Sequence, residues 1–290
     1  MKRVLVAGAT GYLGRYVVKT LKSQGFYTKI LVRDPDKLDQ RGDFLAPSID
    51  QYVDEVAVGD VTKPDTLKYI CENIDYVFSS VGMTRQKSKL TFKDVDFQGN
   101  LNLLKEAEDS RVEKFMYIHV FINENWKENG SLIEAKEQFV SELKASNIHH
   151  IIIQPTGYFS DMTQFLMMAK KGRVFLIGDG KTKMNPVHGS DLAQFCIQSL
   201  SMKDATLDIG GPEILSYEQI AQLVFDVLDR KERITHIPVA LLKPVSVALK
   251  LFSKHHFGLY QFLINVMTHD IIAPQYGKYK IRDWYDRLEN

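Results

Sequence analysis

The stretch VLVAGATGYLGRYVV, Val4 to Val18, decides how this chain is read. Its apolar opening, with Arg3 to Ala7 as the run, reads as a buried strand. A different period follows: Leu13, Val17 and Leu21 recur at i, i+4 and i+8, one stripe of an amphipathic helix. Between the two lie Gly8, Gly11 and Gly14 at three-residue spacing. A strand that turns sharply into a helix, brings its backbone close to a pyrophosphate and packs that helix tightly on a sheet needs glycine at all three steps. The helix then offers free N–H groups to the anion. A lone glycine pattern is a weak signal, but here the preceding strand, the periodic helix and the βαβ context supply what the motif requires.

Outward from this loop, short apolar runs alternate with helical patterns. Strands are expected at TKILV (Thr28–Val32), at EVAVGD (Glu55–Asp60), at DYVFSSVG (Asp75–Gly82), at KFMYIHV (Lys114–Val120) and at HHIIIQP (His149–Pro155). Helices are expected near Thr91–Asp109 and over EAKEQFVSELKAS. This alternation implies an α/β fold, a doubly wound parallel sheet of Rossmann type, with a smaller C-terminal α/β portion on the substrate side. The expected division is a dinucleotide-binding core over 1–155 and a mixed region over 156–290 that completes the sheet and forms the smaller substrate-binding part. Ser216 is the expected cap of a helix with Ile220, Leu223, Val224 and Val227 on one face.

About 20 residues past the glycines, at the end of the second strand, an acid would hold the ribose hydroxyls of NAD. The sequence there is LVRDPDKL, with Arg33 in the acid's place and Lys37 one turn on. An arginine fork pairs with a 2′-phosphate and cannot accept from a hydroxyl. The expected cofactor is therefore NADP rather than NAD. If the strand ran one residue longer, Asp34 would instead be the ribose acid.

The 290 residues are 44% hydrophobic and 25% charged, with a net charge of +1, ordinary for a globular enzyme. No run of five like charges occurs, which disfavours a nucleic-acid binder. Cys71 and Cys196 lie among apolar residues read as helical, so a reducing cytoplasm is expected. The N-terminus reads as a strand rather than a signal peptide, and no 18-residue apolar run is present. The pairs His149–His150 and His255–His256 lack the spacing of a metal site, so no metal is expected.

GATGYLG, VRDPDKL, GDVTKPDTL, FQGNLNLL, EAKEQFVSELKAS, IIIQPTGYFSDM, NPVHGSDLA and IGGPEILSYEQIA occur in this order over about residues 1–230. Together they resemble the atypical short-chain dehydrogenase/reductases, the branch of NmrA-like and divinyl-reductase-like proteins. The resemblance implies that Gly8, Thr10, Gly11, Tyr12, Leu13 and Gly14 cradle the pyrophosphate. Arg33 would meet the 2′-phosphate, Asp60 and Val61 would flank the adenine, and Ser80, Val81 and Gly82 would line the cofactor. Pro155, Thr156, Gly157 and Tyr158 would form the loop beside the nicotinamide. The chain also departs from the family's tetrad. His119 stands where a serine is common, Leu132 where the tyrosine is, and Asp96 where the helix asparagine is; Lys136 is kept. The usual version, in which the tyrosine moves the proton and the lysine lowers its pKa, is closed to this chain.

Three side chains are candidates to supply a proton near the nicotinamide. Lys136 qualifies if desolvation lowers its pKa; its other role is contact with the cofactor ribose. His119 has a resting pKa near neutral, or else it is packed at a strand end. Tyr158 is a donor or an aromatic wall. His188 and Asp191 bound the pocket or cap the next helix, and Asp191 is the expected cap. The C-terminal residues Phe252, Phe257, Leu259, Tyr260, Phe262, Leu263 and Val266, with Lys250 and Lys254, suit a lid, a homodimer face or a membrane-surface patch, though packing on the nucleotide domain is the plainer reading. The functional expectation is an NADP(H)-dependent reductase of a carbonyl or activated C=C in a small apolar molecule. The alternative is a catalytically inactive NADP(H)-binding regulator or assembly factor. A nucleotide-sugar-type epimerase or dehydratase comes last, because those need the tyrosine.

Overall fold

The computed structural model describes residues 1–83, 90–126, 130–242, 244–246, 249 and 254–289. Their contacts divide them into two compact units. One comprises Met1–His119, Ile133–Gln154 and Leu192–Leu207; the other comprises Val120–Leu132, Pro155–Asp191 and Asp208–Asn290.

The first unit is organised by a seven-stranded sheet with strand order β3-β2-β1-β4-β5-β6-β9. Its strands are β1 (Arg3–Ala7), β2 (Tyr27–Val32), β3 (Glu55–Val58), β4 (Tyr76–Ser79), β5 (Lys114–Ile118), β6 (His149–Pro155) and β9 (Ala205–Ile209). β1 pairs in parallel with both β2 and β4, and the parallel pairing continues outward to β3 on one side and through β5 to β6 on the other. The order reverses at β1, so the β1–β4 boundary is the switch point where α/β sheets bind ligands. β1 and β5 are apolar almost throughout and buried, as strands covered on both faces must be.

Helix α1 (Tyr12–Ser23) buries Leu13, Val17, Val18 and Leu21 against this sheet, each contributing about 1.5–3 kcal/mol of transfer free energy. A continuous core joins Leu5, Leu31, Val77, Leu103, Phe115, Tyr117, Phe139 and Ile152. The expected helix near Thr91–Asp109 is a π-helical segment, Lys93–Gly99, running directly into α2 (Asn100–Asp109). Such wide turns inside helices gather at functional sites. Cys71, read from sequence as helical, lies instead in a buried turn, while Cys196 is in α5 (Gly189–Ser199). α3 (Gly130–Ala145) precedes β6 and carries Lys136.

In the second unit, α4 (Phe159–Lys170) and α6 (Tyr217–Val227) pack with the C-terminal helix Ile281–Glu289. The Tyr285 hydroxyl donates to the Met162 carbonyl at 2.7 Å from a buried position. Ser216 caps α6 in a reciprocal box with Gln219, as its sequence required. β7 (Val174–Ile177) pairs in parallel with β11 (Ile234–Ile237), and β8 (Lys183–Met184) pairs antiparallel with β10 (Leu215–Ser216). Of the C-terminal apolar segment, Lys250 and Phe252 lie outside the described residues, as does the side chain of Lys254. Phe262 meets Trp126 edge-on at 5.9 Å, and the Tyr260 hydroxyl donates to Leu242 O at 2.9 Å, while Leu263 stays 48% exposed. No helix among the described residues is long and apolar enough to cross a membrane.

Candidate cofactor and active site

The glycine loop joins β1 to α1. The Gly11 N–H donates to Gly8 O at 3.0 Å, closing the turn. Gly8 has φ +86°, and a Cβ there would lie 2.6 Å from Ser80 Oγ, so the ends of β1 and β4 meet with no room for a side chain. A Cβ on Gly14 would collide with the Gly8 carbonyl oxygen. α1 has no side-chain cap at Gly11 and no acidic residue in its first turn. No acidic side chain in that turn competes with an anion for the positive dipole end of the helix. Thr10 lies in the turn itself. Tyr12 opens the helix, with its ring edge-on to Tyr16 at 5.4 Å. Leu13 is in the core, so only its backbone is available to a phosphate.

β2 ends at Val32 and the exposed Arg33 follows. Asp34, the next residue, is half-exposed and has local partners. Its Oδ1 accepts the Asp36 N–H at 3.1 Å and its Oδ2 lies 3.4 Å from Lys37 Nζ, capping the short 3-10 turn Pro35–Lys37. Asp60 Oδ1 accepts the N–H and hydroxyl of Thr62 at 2.9 and 2.8 Å. Burial works against ionisation of Asp60, but Thr62 and the nearby Arg33 and Lys63 outweigh it and hold its carboxyl below the usual range. Val61 O accepts from Asn102 Nδ2 at 2.8 Å, which fixes that backbone.

Past β4, the segment Ser79–Met83 is held from the helix opposite. Asn100 Oδ1 accepts the Ser79 hydroxyl at 2.6 Å, and its Nδ2 donates to Val81 O and Asp96 O. Asp96 Oδ2 accepts the Met83 N–H at 3.1 Å. Asp96 Oδ1 lies 3.2 Å from Lys136 Nζ, at salt-bridge distance though without a well-aligned hydrogen bond, and both side chains are buried. A Cβ at Gly82 would stand 2.7 Å from Asp96 Oδ1 and 3.2 Å from Lys136 Nζ, so this backbone passes directly over the ion pair. Lys136 Nζ also donates to the Tyr117 hydroxyl at 3.3 Å.

Burial alone would lower the Lys136 pKa. Tyr117 and Asp96 outweigh it and keep the ammonium above its ordinary value. Burial pushes the Asp96 carboxyl up against the pull of Lys136, and pushes the Tyr117 phenol up likewise. His119, at the end of β5, is buried with Nε2 3.1 Å from Glu137 Oε1. That contact is the first cause of a Glu137 carboxyl held below its usual range. Leu132 is buried one turn before Lys136 on α3. Tyr117, which sequence reasoning did not single out beside the candidates Lys136 and His119, precedes His119 by two residues and so shares its strand face.

The Pro155–Tyr158 loop belongs to the second unit. Thr156 Oγ1 donates to Asn185 O at 2.6 Å, and the Val187 N–H donates to Gly157 O at 2.8 Å. The N–H of Tyr158 donates to Asp161 Oδ2 at 3.0 Å. The expected helix cap at Asp191 is corrected. Asp191 Oδ2 accepts the N–H groups of Lys278 and Tyr279, each at 3.0 Å, and it is His188 Nδ1 that accepts the Ser190 N–H at 3.2 Å. His188 is buried between Phe159 and Tyr279, so it is a packed histidine. Among the described residues no group of three or more His, Cys, Asp or Glu is placed to hold a metal ion.

This loop geometry and chain order agree with comparisons to known proteins. The sequence pattern of the NAD(P)H-binding family matches residues 8–203. The photosystem II assembly factor Ycf39 of Guillardia theta is 25% identical over 268 residues, 91% of this chain and 79% of that protein. The chloroplastic divinyl chlorophyllide a 8-vinyl-reductase of Arabidopsis thaliana is 25% identical over 265 residues, 87% of this chain but 63% of the reductase. Among solved structures, the Escherichia coli NADPH-dependent quinone oxidoreductase QOR2 with NADPH superposes with a TM-score of 0.67 at 15% identity, over 99% of this chain and 100% of that one, a likeness of fold. With the glycine loop, the parallel sheet and the retained Lys136 already in view, the chain belongs to the NAD(P)H-binding Rossmann family, in its atypical short-chain dehydrogenase/reductase group.

Proposed function

We propose that this chain is an NADP(H)-dependent reductase of a carbonyl or activated C=C in a small apolar molecule, working without the family's tyrosine. The observation that carries the proposal is the Asp96–Lys136–Tyr117 arrangement beneath Gly82. A buried ion pair is costly to keep for packing alone, and this one lies under Gly82, in the segment that the resemblance assigns to the cofactor.

The bound dinucleotide supplies the hydride. The chain's own residues bind, orient and protonate. Gly8, Gly11 and Gly14 with the α1 N-terminus hold the pyrophosphate, and Arg33 holds the 2′-phosphate. Lys136, kept cationic by Asp96, presents N–H donors to ribose hydroxyls. Its raised pKa makes it a poor proton donor. The proton is assigned to His119, whose Nε2 is backed by the half-exposed Glu137, a route for protons from water. The proposed setting is the cytoplasm, with a small-molecule substrate and no nucleic-acid partner.

Calorimetric titration with NADP⁺, NADPH, NAD⁺ and NADH, followed by a screen of apolar enones and quinones for NADPH loss, tests this reading. NADPH binding with no consumption across the screen would favour the second reading, an NADP(H)-binding regulator or assembly factor. Two observations favour that alternative: the likeness to Ycf39 assembly factors and the buried Leu132 in the tyrosine's place.

A further inference from the structure

Arg15 follows the third glycine of the loop, and nothing in the sequence pattern distinguishes it. An arginine on a helix ordinarily keeps its head in water. Here the side chain is buried and its guanidinium turns onto backbone carbonyls. Nε donates to Thr10 O at 3.1 Å. Nη1 donates to Gln40 O at 2.7 Å and Pro47 O at 2.9 Å, and Nη2 donates to Lys37 O at 2.7 Å. One acceptor lies in the glycine loop. The other three span the segment between β2 and β3 that begins just after Arg33. Among the described residues no carboxylate forms a salt bridge with Arg15, so a planar cation is spent on holding neutral backbone in place.

The clamped segment is under backbone strain. Phe44 and Leu45, consecutive non-glycine residues, have φ of +59° and +62°. Such conformations persist only where the surroundings over-determine them, and they gather at functional sites. The neighbouring Tyr16 adds a second tether, its hydroxyl donating to Leu45 O at 3.2 Å. Gly42 packs against the clamp itself: a Cβ there would stand 2.5 Å from Arg15 Cδ and 2.6 Å from Nε.

We propose that Arg15 is a positioning residue for cofactor selection. It locks the Lys37–Pro47 segment to the glycine loop, so that Arg33 and Lys37 are preorganised for a 2′-phosphate, and discrimination between NADP and NAD depends on a side chain that touches neither. This rests on the NADP reading of Arg33 above. The physical reason is that an arginine fork recognises phosphate through fixed geometry, and a preordered site gives up less entropy on binding.

The test uses the full chain and four proteins: wild type, Arg15→Met, Arg15→Lys and Gly42→Ala. Two quantities are read: the ratio of Kd values for NAD⁺ and NADP⁺, and the rate of tryptic cleavage after Lys37 and Arg41 without cofactor. Wild type is expected to favour NADP⁺ by about tenfold or more. Gly42→Ala should bring the ratio to within about threefold by losing NADP⁺ affinity while keeping that for NAD⁺, and Arg15→Met, which also frees Thr10 O of the glycine loop, should narrow the ratio as far while weakening both. Both should be cut faster in the segment. Arg15→Lys should not restore the ratio, because one ammonium cannot replace a fork reaching four acceptors. An unchanged ratio in Gly42→Ala, with wild type still favouring NADP⁺, overturns the inference and leaves the NADP reading standing. No preference in wild type overturns that reading and cofactor selection with it, whereas cleavage rates then decide whether the clamp itself exists. If Arg15→Met does not fold, Gly42→Ala and Arg15→Lys carry the test.

Discussion

Lys136 Nζ lies 3.2 Å from Asp96 Oδ1 in the first unit, with the Asp96 side chain fully buried and that of Lys136 9% exposed. Removing one partner of such a pair leaves an uncompensated buried charge. Asp96→Asn should therefore lower unfolding stability by about 3–5 kcal/mol, measured by denaturant titration at neutral pH. The double variant Asp96→Asn/Lys136→Met should lose less than the sum of the two single losses, because the residues act as one unit. Strict additivity would show that the pair is not coupled.

The same geometry separates two roles for Lys136. If it only orients the ribose, Lys136→Met loses one charge-assisted interaction of about 1.5–3 kcal/mol, roughly a tenfold to hundredfold weaker Kd for NADPH. The shape of the pH–rate profile would then stay as in wild type. Removal of one limb of that profile would instead make Lys136 the proton donor, against its raised pKa. His119→Gln should abolish the limb that Lys136→Met leaves in place.

Much of this was legible in the sequence because it depends on local pattern. The glycine spacing placed the β1–α1 turn, and the apolar runs placed β1, β2 and β6 to within a residue of their ends. The helix expected over EAKEQFVSELKAS is α3, which carries Lys136. What escaped depends on side chains that meet only after folding. Arg15 reaches Pro47, 32 positions away, and Tyr117 reaches Lys136 across 19. No periodicity records such pairings. Asp191 was misread for a related reason. A first-turn aspartate is usually a local cap, but this one receives backbone N–H groups from 87 and 88 residues further on. Asp34 shows the converse: one residue of strand length separates a ribose acid from a turn residue, and its side chain is seen capping Asp36 locally.

Arg33 is exposed and acts on Asp60 through space, without a hydrogen bond or ion pair among the described residues, so its replacement should act chiefly on the cofactor. Arg33→Glu reverses the charge facing a 2′-phosphate. NADPH should bind about a hundredfold more weakly, roughly 2.7 kcal/mol, while NADH binding changes by less than about threefold. Calorimetric titration of both cofactors decides it, and equal loss of both would sink the 2′-phosphate assignment. Salt sharpens the measurement, since an exposed charge contact weakens as ionic strength rises.

His188 gives a pH dependence whose sign follows from burial. Desolvation, with Arg287 adding to it, lowers its pKa from 6.5 to about 4 in the folded chain. The unfolded chain therefore takes up a proton near pH 6.5 that the folded chain refuses until about pH 4. Stability should be fully present above the upper value and fall as pH drops through this window, by about 3 kcal/mol at most for the single site. Denaturant titrations at pH 7.5 and pH 4.5 measure the slope. His188→Asn keeps an acceptor for the Ser190 N–H but cannot titrate. It should be less stable than wild type at pH 7.5, because the edge-on contact with Phe159 and the tilted contact with Tyr279 are lost, yet show a flatter decline toward pH 4.5. The same decline in both proteins would move the acid sensitivity elsewhere.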